Sequence, residues 1–256
     1  MKRALKIILL VVLLLVLGVG GVLAATFMGR RPVTDGQTFD RVRVVADGFS
    51  GMGVITIDSR QVALVDAGND TSGAAILAEL SRRQLGPDAV SAIFITHGHP
   101  DHTGAVKLFP KAQVMALDAE APLVEGRAGA RGPVTRLFPV RPTGITVTRH
   151  LNDGDVVTIG DVPVRVYAVP GHTVGSAAYV ADGVLFLGDS ADVASDGTLK
   201  GAPWMFSDSQ PDNRASLARL EQRLVADGVK VTAIVPAHSG ASEGLAALTA
   251  FAQANR

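Results

Sequence analysis

The chain has no cysteine in its 256 residues. That absence excludes disulfides, thiolate zinc sites, iron–sulfur clusters and cysteine nucleophiles together. It leaves the redox compartment open, because a chain without thiols is indifferent to it. Net charge is also missing, with 24 Lys plus Arg against 24 Asp plus Glu. A balanced charge gives no electrostatic footprint for nucleic acid, so no such partner is expected. What the chain does have is apolar side chains, 47% of the total. That is too many for a disordered chain and enough for a large core. The length suits one ordinary domain, or at most two small ones.

The apolar residues are unevenly placed. After Met1-Lys2-Arg3-Ala4-Leu5-Lys6 the chain runs from Ile7 to Met28 without a charge. As a helix this run would rise about 33 Å, enough to cross a hydrocarbon core of about 30 Å. Lys2, Arg3 and Lys6 precede it and Arg30 and Arg31 follow it, so the positive-inside rule favours a cytoplasmic N-terminus by a narrow margin. The first expectation is a retained transmembrane helix over residues 1–28, since the run exceeds a signal h-region of about 7–15 residues. A cleaved signal peptide is the second, with Val22-Leu23-Ala24 and Leu23-Ala24-Ala25 as loose matches to a cleavage site. A buried core helix is the third. Either of the first two puts the remainder outside the cytoplasm, membrane-anchored or secreted.

Residues 29–40 are polar with Pro and Gly and read as a linker, and residues 41–256 read as one domain. Short β-branched runs have strand length and composition: Val42–Val45, Val54–Ile57, Val62–Val65, Val90–Thr96, Val114–Leu117, Ile145–Thr148, Val156–Ile159, Val162–Val169, Val184–Leu187 and Val231–Val235. Helical stretches fall at Thr71–Leu85, His102–Leu108, Pro211–Ala226 and Ala241–Ala252. Strands, then strand–helix alternation, then the same again, predict sheets with helices on their outer faces, a layered α/β domain. Pro122–Pro142, rich in Gly, Pro and Arg, reads as a long loop of the kind that is often functional.

Three of the six histidines fall in His97-Gly98-His99-Pro100-Asp101-His102. The apolar strand Ala92–Thr96 leads directly into them. Extended residues two apart point the same way, so His97 and His99 can share one ion. Asp101 and His102 follow at the turn into a helix and point towards a second. Imidazole with carboxylate suits zinc, and also iron or manganese. By chance this pattern arises in on the order of one in several thousand chains. Three more strand ends repeat the arrangement: Val162–Val169 into Pro170-Gly171-His172-Thr173, Val184–Leu187 into Gly188-Asp189-Ser190, and Val231–Val235 into Pro236-Ala237-His238-Ser239. Five histidines and one aspartate can then meet at one sheet edge. His150 precedes a turn and reads as an exposed residue outside the set.

In order, His97, His99, Asp101, His102, His172, Asp189 and His238 resemble the full ligand set of the metallo-β-lactamase superfamily. Val65-Asp66-Ala67-Gly68 and Pro170-Gly171-His172-Thr173-x-Gly175-Ser176 are similar to two further motifs of that family. The resemblance covers about residues 41–240. It implies a four-layered αββα sandwich with the metal site at one edge between the sheets. It further implies that His97, His99 and His172 hold one divalent ion and Asp101, His102 and His238 a second, with Asp189 bridging. Two zinc ions are the first expectation.

The chemistry implied is hydrolysis by a metal-bridging hydroxide, with Asp101 as the catalytic carboxylate that orients or deprotonates the nucleophile. The substrate expected is a small ester, thioester or lactone, as in glyoxalase II-like enzymes. A mononuclear iron persulfide dioxygenase shares the first histidine motif and is the alternative. A β-lactamase or a non-catalytic binding domain ranks below both. Asp66 is the candidate for fixing an imidazole tautomer, and Ser176 and Ser239 read as turn residues. Phe49 and Met52, and the cluster Ala202-Pro203-Trp204-Met205-Phe206, are candidates for the pocket wall. No arginine or lysine has a spacing that identifies a phosphate or glutathione carboxylate partner.

Overall fold

The computed structural model describes residues 2–255, with the side chains of residues 2, 4, 15, 19, 22, 23 and 25 left outside the description. The first sheet has seven strands in sequence order: β1 (Thr38–Phe39), β2 (Val42–Asp47), β3 (Ser50–Thr56), β4 (Val62–Val65), β5 (Val90–Phe94), β6 (Gln113–Leu117) and β7 (Arg149–Leu151). It is an antiparallel meander up to β4 and parallel from β4 to β7. The next strands are β8 (Val156–Ile159), β9 (Val162–Ala168), β10 (Ala177–Ala181) and β11 (Val184–Gly188), then a separate ribbon of β12 (Ala191–Val193) with β13 (Leu199–Gly201), then β14 (Ala233–Pro236) and β15 (Ser242–Glu243). The second sheet has the order β15-β14-β11-β10-β9-β8, with β11 and β14 parallel. Parallel neighbours need a crossover, and two of these are helices. With α1 (Lys2–Phe27) at the N-terminus, α2 (Ala74–Arg82) joins β4 to β5, and α3 (Pro100–Thr103) and α4 (Ala121–Val124) are single turns. Next, α5 (Gln210–Ala226) joins the ribbon to β14, and α6 (Ala246–Ala254) ends the chain.

Apolar side chains of both sheets, among them Val44, Phe94, Val164, Tyr179 and Phe186, form the central core. Ile76 and Leu80 of α2 pack on the outer face of the first sheet, and Leu217, Leu220 and Leu248 of α5 and α6 cover the second. The order is therefore helix, sheet, sheet, helix, as expected. A strand covered on both faces reads as a continuous apolar run, which explains why β4, β5, β11 and β14 were legible. Three expectations need correction. The helix expected over Ala241–Ala252 starts only at Ala246, and Ser242–Glu243 is the edge strand β15. Ile145–Thr148 is not a strand: Ile145 and Val147 are buried against the first sheet and the ladder starts at Arg149. His102–Leu108 is not one helix, because α3 stops at Thr103 and a separate short turn follows at Val106–Leu108. A Cβ at Gly104, between them, would meet the Gly68 carbonyl at 2.6 Å.

The N-terminal expectations also change. Residues 2–27 do form a helix. Leu5, Ile8, Leu13 and Leu17 are each more than half exposed, which removes the buried core helix. The transmembrane expectation falls partly on side chains outside the description, and among the described residues no helix is long and apolar enough to cross a membrane. Residues 29–40 are strapped to the domain. Arg31 donates its backbone N–H to Val193 O (2.9 Å), its carbonyl accepts from Gly240 N–H (2.8 Å), and Arg30 pairs with Asp192 at 2.7 Å.

Glu79 of α2 gives a stability prediction. Its carboxylate, 4% exposed, meets Arg82 and Arg83 at 2.7 Å and Arg43 at 3.0 Å. Burial opposes its ionisation, but Arg83, Arg82 and Arg43 outweigh burial and hold its pKa below the usual value. The stabilisation is thus complete above the ordinary glutamate range and is lost as pH falls through the lowered value. Glu79→Gln should cost about 2 kcal/mol by urea unfolding at neutral pH. This lies below the ~3–5 kcal/mol of a fully buried pair because Arg82 is exposed. The difference from wild type should shrink below about pH 4.

Candidate metal centre

Four strand ends meet at one edge of the sandwich. His97 and His99 follow β5, His172 follows β9, Asp189 follows β11 and His238 follows β14. Asp101 and His102 lie on α3, whose first residue is Pro100. The structure brings all seven sequence-predicted residues together in two groups: His97, His99, His172 and Asp189, and Asp101, His102, Asp189 and His238. In each group the candidate donor atoms lie within 4.8 Å of one another. In the first, His97 Nε2, His99 Nδ1 and His172 Nε2 are mutually 3.0–3.1 Å apart. In the second, His238 Nε2 is 3.1 Å from both Asp101 Oδ2 and Asp189 Oδ1, and His102 Nε2 is 3.1 Å from Asp189 Oδ1. The other oxygen of Asp189 faces the first group, 3.5 Å from His172 Nε2 and 4.0 Å from His97 Nε2. One carboxylate therefore stands between the two groups.

Hydrogen bonds behind the cluster assign four imidazole tautomers. Asp66 Oδ2 lies 2.8 Å from His102 Nδ1, so that nitrogen carries the proton. Thr96 Oγ1 donates to Asp66 Oδ2 (2.7 Å) and so accepts from His97 Nδ1–H (3.2 Å). Ser207 Oγ donates to Pro203 O (2.7 Å) and accepts from His172 Nδ1–H (3.0 Å). His238 Nδ1–H donates to Phe49 O at 2.9 Å. Each outer bond turns the ring's Nε2 into the cluster. Asp66 thus holds the position expected of it, and it does so at φ +62°, a conformation rare for a residue with a side chain.

Ring lone pairs facing each other, as in the first group, repel unless a cation lies between them, and the carboxylates of the second group favour a cation, proton or metal ion, beside its rings. His99 Nε2, His102 Nε2 and Asp189 Oδ1 are buried without a hydrogen-bond partner; the 3.1 Å contact between the last two lacks hydrogen-bond geometry. Burial, then neighbouring rings, hold His97 well below its usual pKa, and burial brings His172 down to about 3, so these rings are neutral. In the second group burial is outweighed. Asp189 and Asp101 push His238 up to about 10, and Asp189 and Asp66 push His102 well above the usual range. Asp189, despite its burial, is held well below the carboxylate range by His238 and His102. Positive charge is favoured in the second group, the first group offers neutral nitrogen donors, and the two donor sets fit divalent cations. Two nitrogens on a tetrahedral zinc at about 2.0–2.1 Å lie roughly 3.3 Å apart, close to the spacing in the first group.

The residues around the cluster divide as follows. Asp101, Asp189, His99 and His238 reach a cavity of about 800 Å³ that Phe49, Phe138, Pro203 and Phe206 also line. Phe49 stacks on the His238 ring with centroids 5.5 Å apart. Met52 does not line the cavity: it is 2% exposed in the outer core of the first sheet. Trp204 is half-exposed and outside the lining, whereas Pro203 and Phe206 form part of it. Ser176 Oγ accepts from Thr173 N–H within a turn, whereas Ser239 Oγ accepts from Val193 N–H of β12, 46 positions away. His150 is exposed and pairs with Asp118.

Sequence reasoning missed Glu120. It is 1% exposed, and its carboxylate accepts from Gly98 N–H (2.7 Å), Thr173 Oγ1 (2.9 Å) and Gly175 N–H (2.9 Å). It therefore ties the His97–His99 loop to the His172 loop. Burial raises its pKa to about 7 against these three bonds. A Cβ at Gly98 would meet Val124 N at 2.6 Å, and one at Gly175 would meet the backbone of Glu120. Both glycines are thus needed for the close approach. The available signal was a glycine beside each histidine motif and the acids Asp118 and Glu120 after β6.

A family model described as the metallo-beta-lactamase superfamily matches residues 47–238. Among curated proteins, the chain is similar to the hydroxyacylglutathione hydrolase of Vibrio cholerae. The two are 35% identical over 134 residues, which is 51% of this chain and 42% of that protein. The counterpart from Idiomarina loihiensis is 28% identical over 155 residues, 60% of this chain and 51% of that protein. The chain spans about half the length of these relatives or less. Among solved structures it is similar to BJP-1, a subclass B3 metallo-beta-lactamase of Bradyrhizobium japonicum. That match has 26% identity and a TM-score of 0.59, and covers 84% of this chain and 81% of the other. MIM-1 from Novosphingobium pentaromativorans is 22% identical with a TM-score of 0.64, covering 89% and 88%, and shows the shared fold alone.

Proposed function

The chain belongs to the metallo-β-lactamase superfamily, and from that premise we propose that it is a dinuclear zinc hydrolase of thioesters. The observation that carries the reading is the convergence of four tautomer-fixed imidazoles, His99 and two carboxylates on two adjoining cation positions. The hydroxyacylglutathione hydrolases it resembles direct the choice of a thioester.

His97, His99 and His172 would hold one ion, Asp101, His102 and His238 the other, and Asp189 both. Such ions lower the pKa of bound water and polarise an acyl carbonyl. The protein supplies the rest. Asp66, Ser207 and Phe49 O hold Nδ1 protons away from the reacting edge. Asp101, 23% exposed at the cavity floor, is the carboxylate placed to orient the attacking water and accept its proton. Water oxygen joins the acyl carbon, the carbon–sulfur bond breaks, and the proton passes to the thiolate, giving acid and thiol.

The test is metal analysis of the purified full chain together with a thioester panel. The expected result is two zinc ions per chain, hydrolysis lost on chelation and regained with zinc. Hydrolysis untouched by complete metal removal would end the proposal. One iron per chain with oxygen uptake on a persulfide would replace it with the dioxygenase alternative. For residues 1–28 we propose an export segment. Cleavage after Ala24 or Ala25 would leave Phe27 in the cavity wall, and N-terminal sequencing of the exported protein decides it.

A further inference from the structure

The cavity above the cluster has a chemistry of its own. Phe27 and Phe206 pack as a pair with ring centroids 6.0 Å apart, and Phe49 and Phe138 complete an aromatic wall around the cation positions. Phe27 precedes the fold proper, yet its place is fixed. Arg30 stacks on its ring at 4.6 Å, and the Arg30–Asp192 pair and the Arg31 backbone bonds anchor the segment to β12. The wall is therefore a built feature. Phe49 and Phe138 are 60% and 61% exposed and Phe27 42%, so the aromatic surface faces the open cavity. Large apolar side chains left in water at one site mark a binding surface.

Outside the metal-ligating cluster, the described cationic residues lining this cavity are Arg30 and Arg31. Arg30 is committed to Asp192, and Arg31 donates its guanidinium N–H to Ala241 O at 2.7 Å. Each guanidinium already has a protein partner. The phenylalanine wall thus offers mainly apolar area.

We propose that the substrate's acyl group is a medium or long alkyl chain, bound along this phenylalanine wall with its thioester carbonyl at the cluster. The inference rests on the hydrolase reading and narrows it from thioesters in general to fatty acyl thioesters. The balance is that of the hydrolysis above: the carbon–sulfur bond is exchanged for a carbon–oxygen bond, giving a fatty acid and a thiol.

The experiment uses the full zinc-loaded chain with acetyl, butyryl, octanoyl and dodecanoyl thioesters of one small neutral thiol, below their micelle concentrations. Burying each methylene should raise kcat/KM about threefold, or about a hundredfold from butyryl to octanoyl. Phe27→Ala and Phe206→Ala should each lower the octanoyl-to-butyryl ratio about tenfold. Alkyl thioethers, which have no scissile bond, should bind more tightly with chain length by calorimetry. A rate that is flat or falls with chain length, with thioether affinity equally flat, would overturn the proposal while leaving hydrolysis standing. A chain-dependent thioether affinity with no hydrolysis of any thioester would support the alkyl site and remove the hydrolase reading. An octanoyl-to-butyryl ratio unchanged in both phenylalanine variants would also overturn it.

Discussion

Asp189→Asn should lower thioester kcat/KM by about a thousandfold or more, about 4 kcal/mol of barrier, and leave the chain with at most one tightly held metal ion. The size follows from position. Asp189 is the carboxylate that faces both groups, with one oxygen 3.1 Å from His102 and His238 and the other 3.5 Å from His172. Asn keeps the shape and removes the charge. It also puts an amide NH2, which cannot ligate a cation, where one carboxylate oxygen stood. Two readouts separate this from general damage. Metal content by mass spectrometry should fall in step with activity. The melting temperature of wild type should drop on chelation, because an ion that binds only the folded state stabilises it by mass action, while Asp189→Asn should show a much smaller drop. Wild-type metal content and rate in Asp189→Asn would end the assignment of the two cation positions.

That prediction uses residues legible in the chain, and the reason is local. His97, His172, Asp189 and His238 each follow an apolar strand by one to four residues, so a β run and a turn sufficed to aim them at one edge. The layered order was legible because buried parallel strands are continuous β-branched runs. Where composition and position part company, the reading failed. β10 is Ala177–Ala181, fully buried, but its alanines carry no strand signal. Ile145–Thr148 has the signal, yet it packs on the sheet beside the ladder that starts at Arg149. Phe27 was hidden in an apolar run that reads as export or anchor. Its role in the cavity depends on hydrogen bonds from residues 30 and 31 to strands more than 150 positions away. Met52 faces the outer core and not the cavity, because the loop that holds Phe49 is already paired in β3 by Ser50.

Glu120 is the strongest case of a functional residue with no local pattern, since its partners lie 22, 53 and 55 positions away. It touches no reacting atom, so it is a positioning residue, and Glu120→Gln tests that role. Its two oxygens accept from two backbone amides and a hydroxyl. Gln replaces one oxygen with an NH2 that cannot accept, so one buried amide loses its partner, at about 2–3 kcal/mol of stability. Gly98 lies between His97 and His99, and Thr173 follows His172, so the freed loop carries first-group ligands with it. Loss of a hydrogen bond behind a metal ligand costs about 10- to 100-fold in metal affinity or activity. Assayed about one pH unit above its raised value of about 7, where the carboxylate is ionised, Glu120→Gln should lose that much in kcat with a small change in KM. The zinc dissociation constant should rise by a similar factor. Glu120→Asp should not rescue it, since the shorter side chain cannot span Gly98 and Gly175 at once. A variant that loses stability but keeps wild-type kcat and zinc affinity would reduce Glu120 to a structural strut and break the link from the β6 turn to the metal centre.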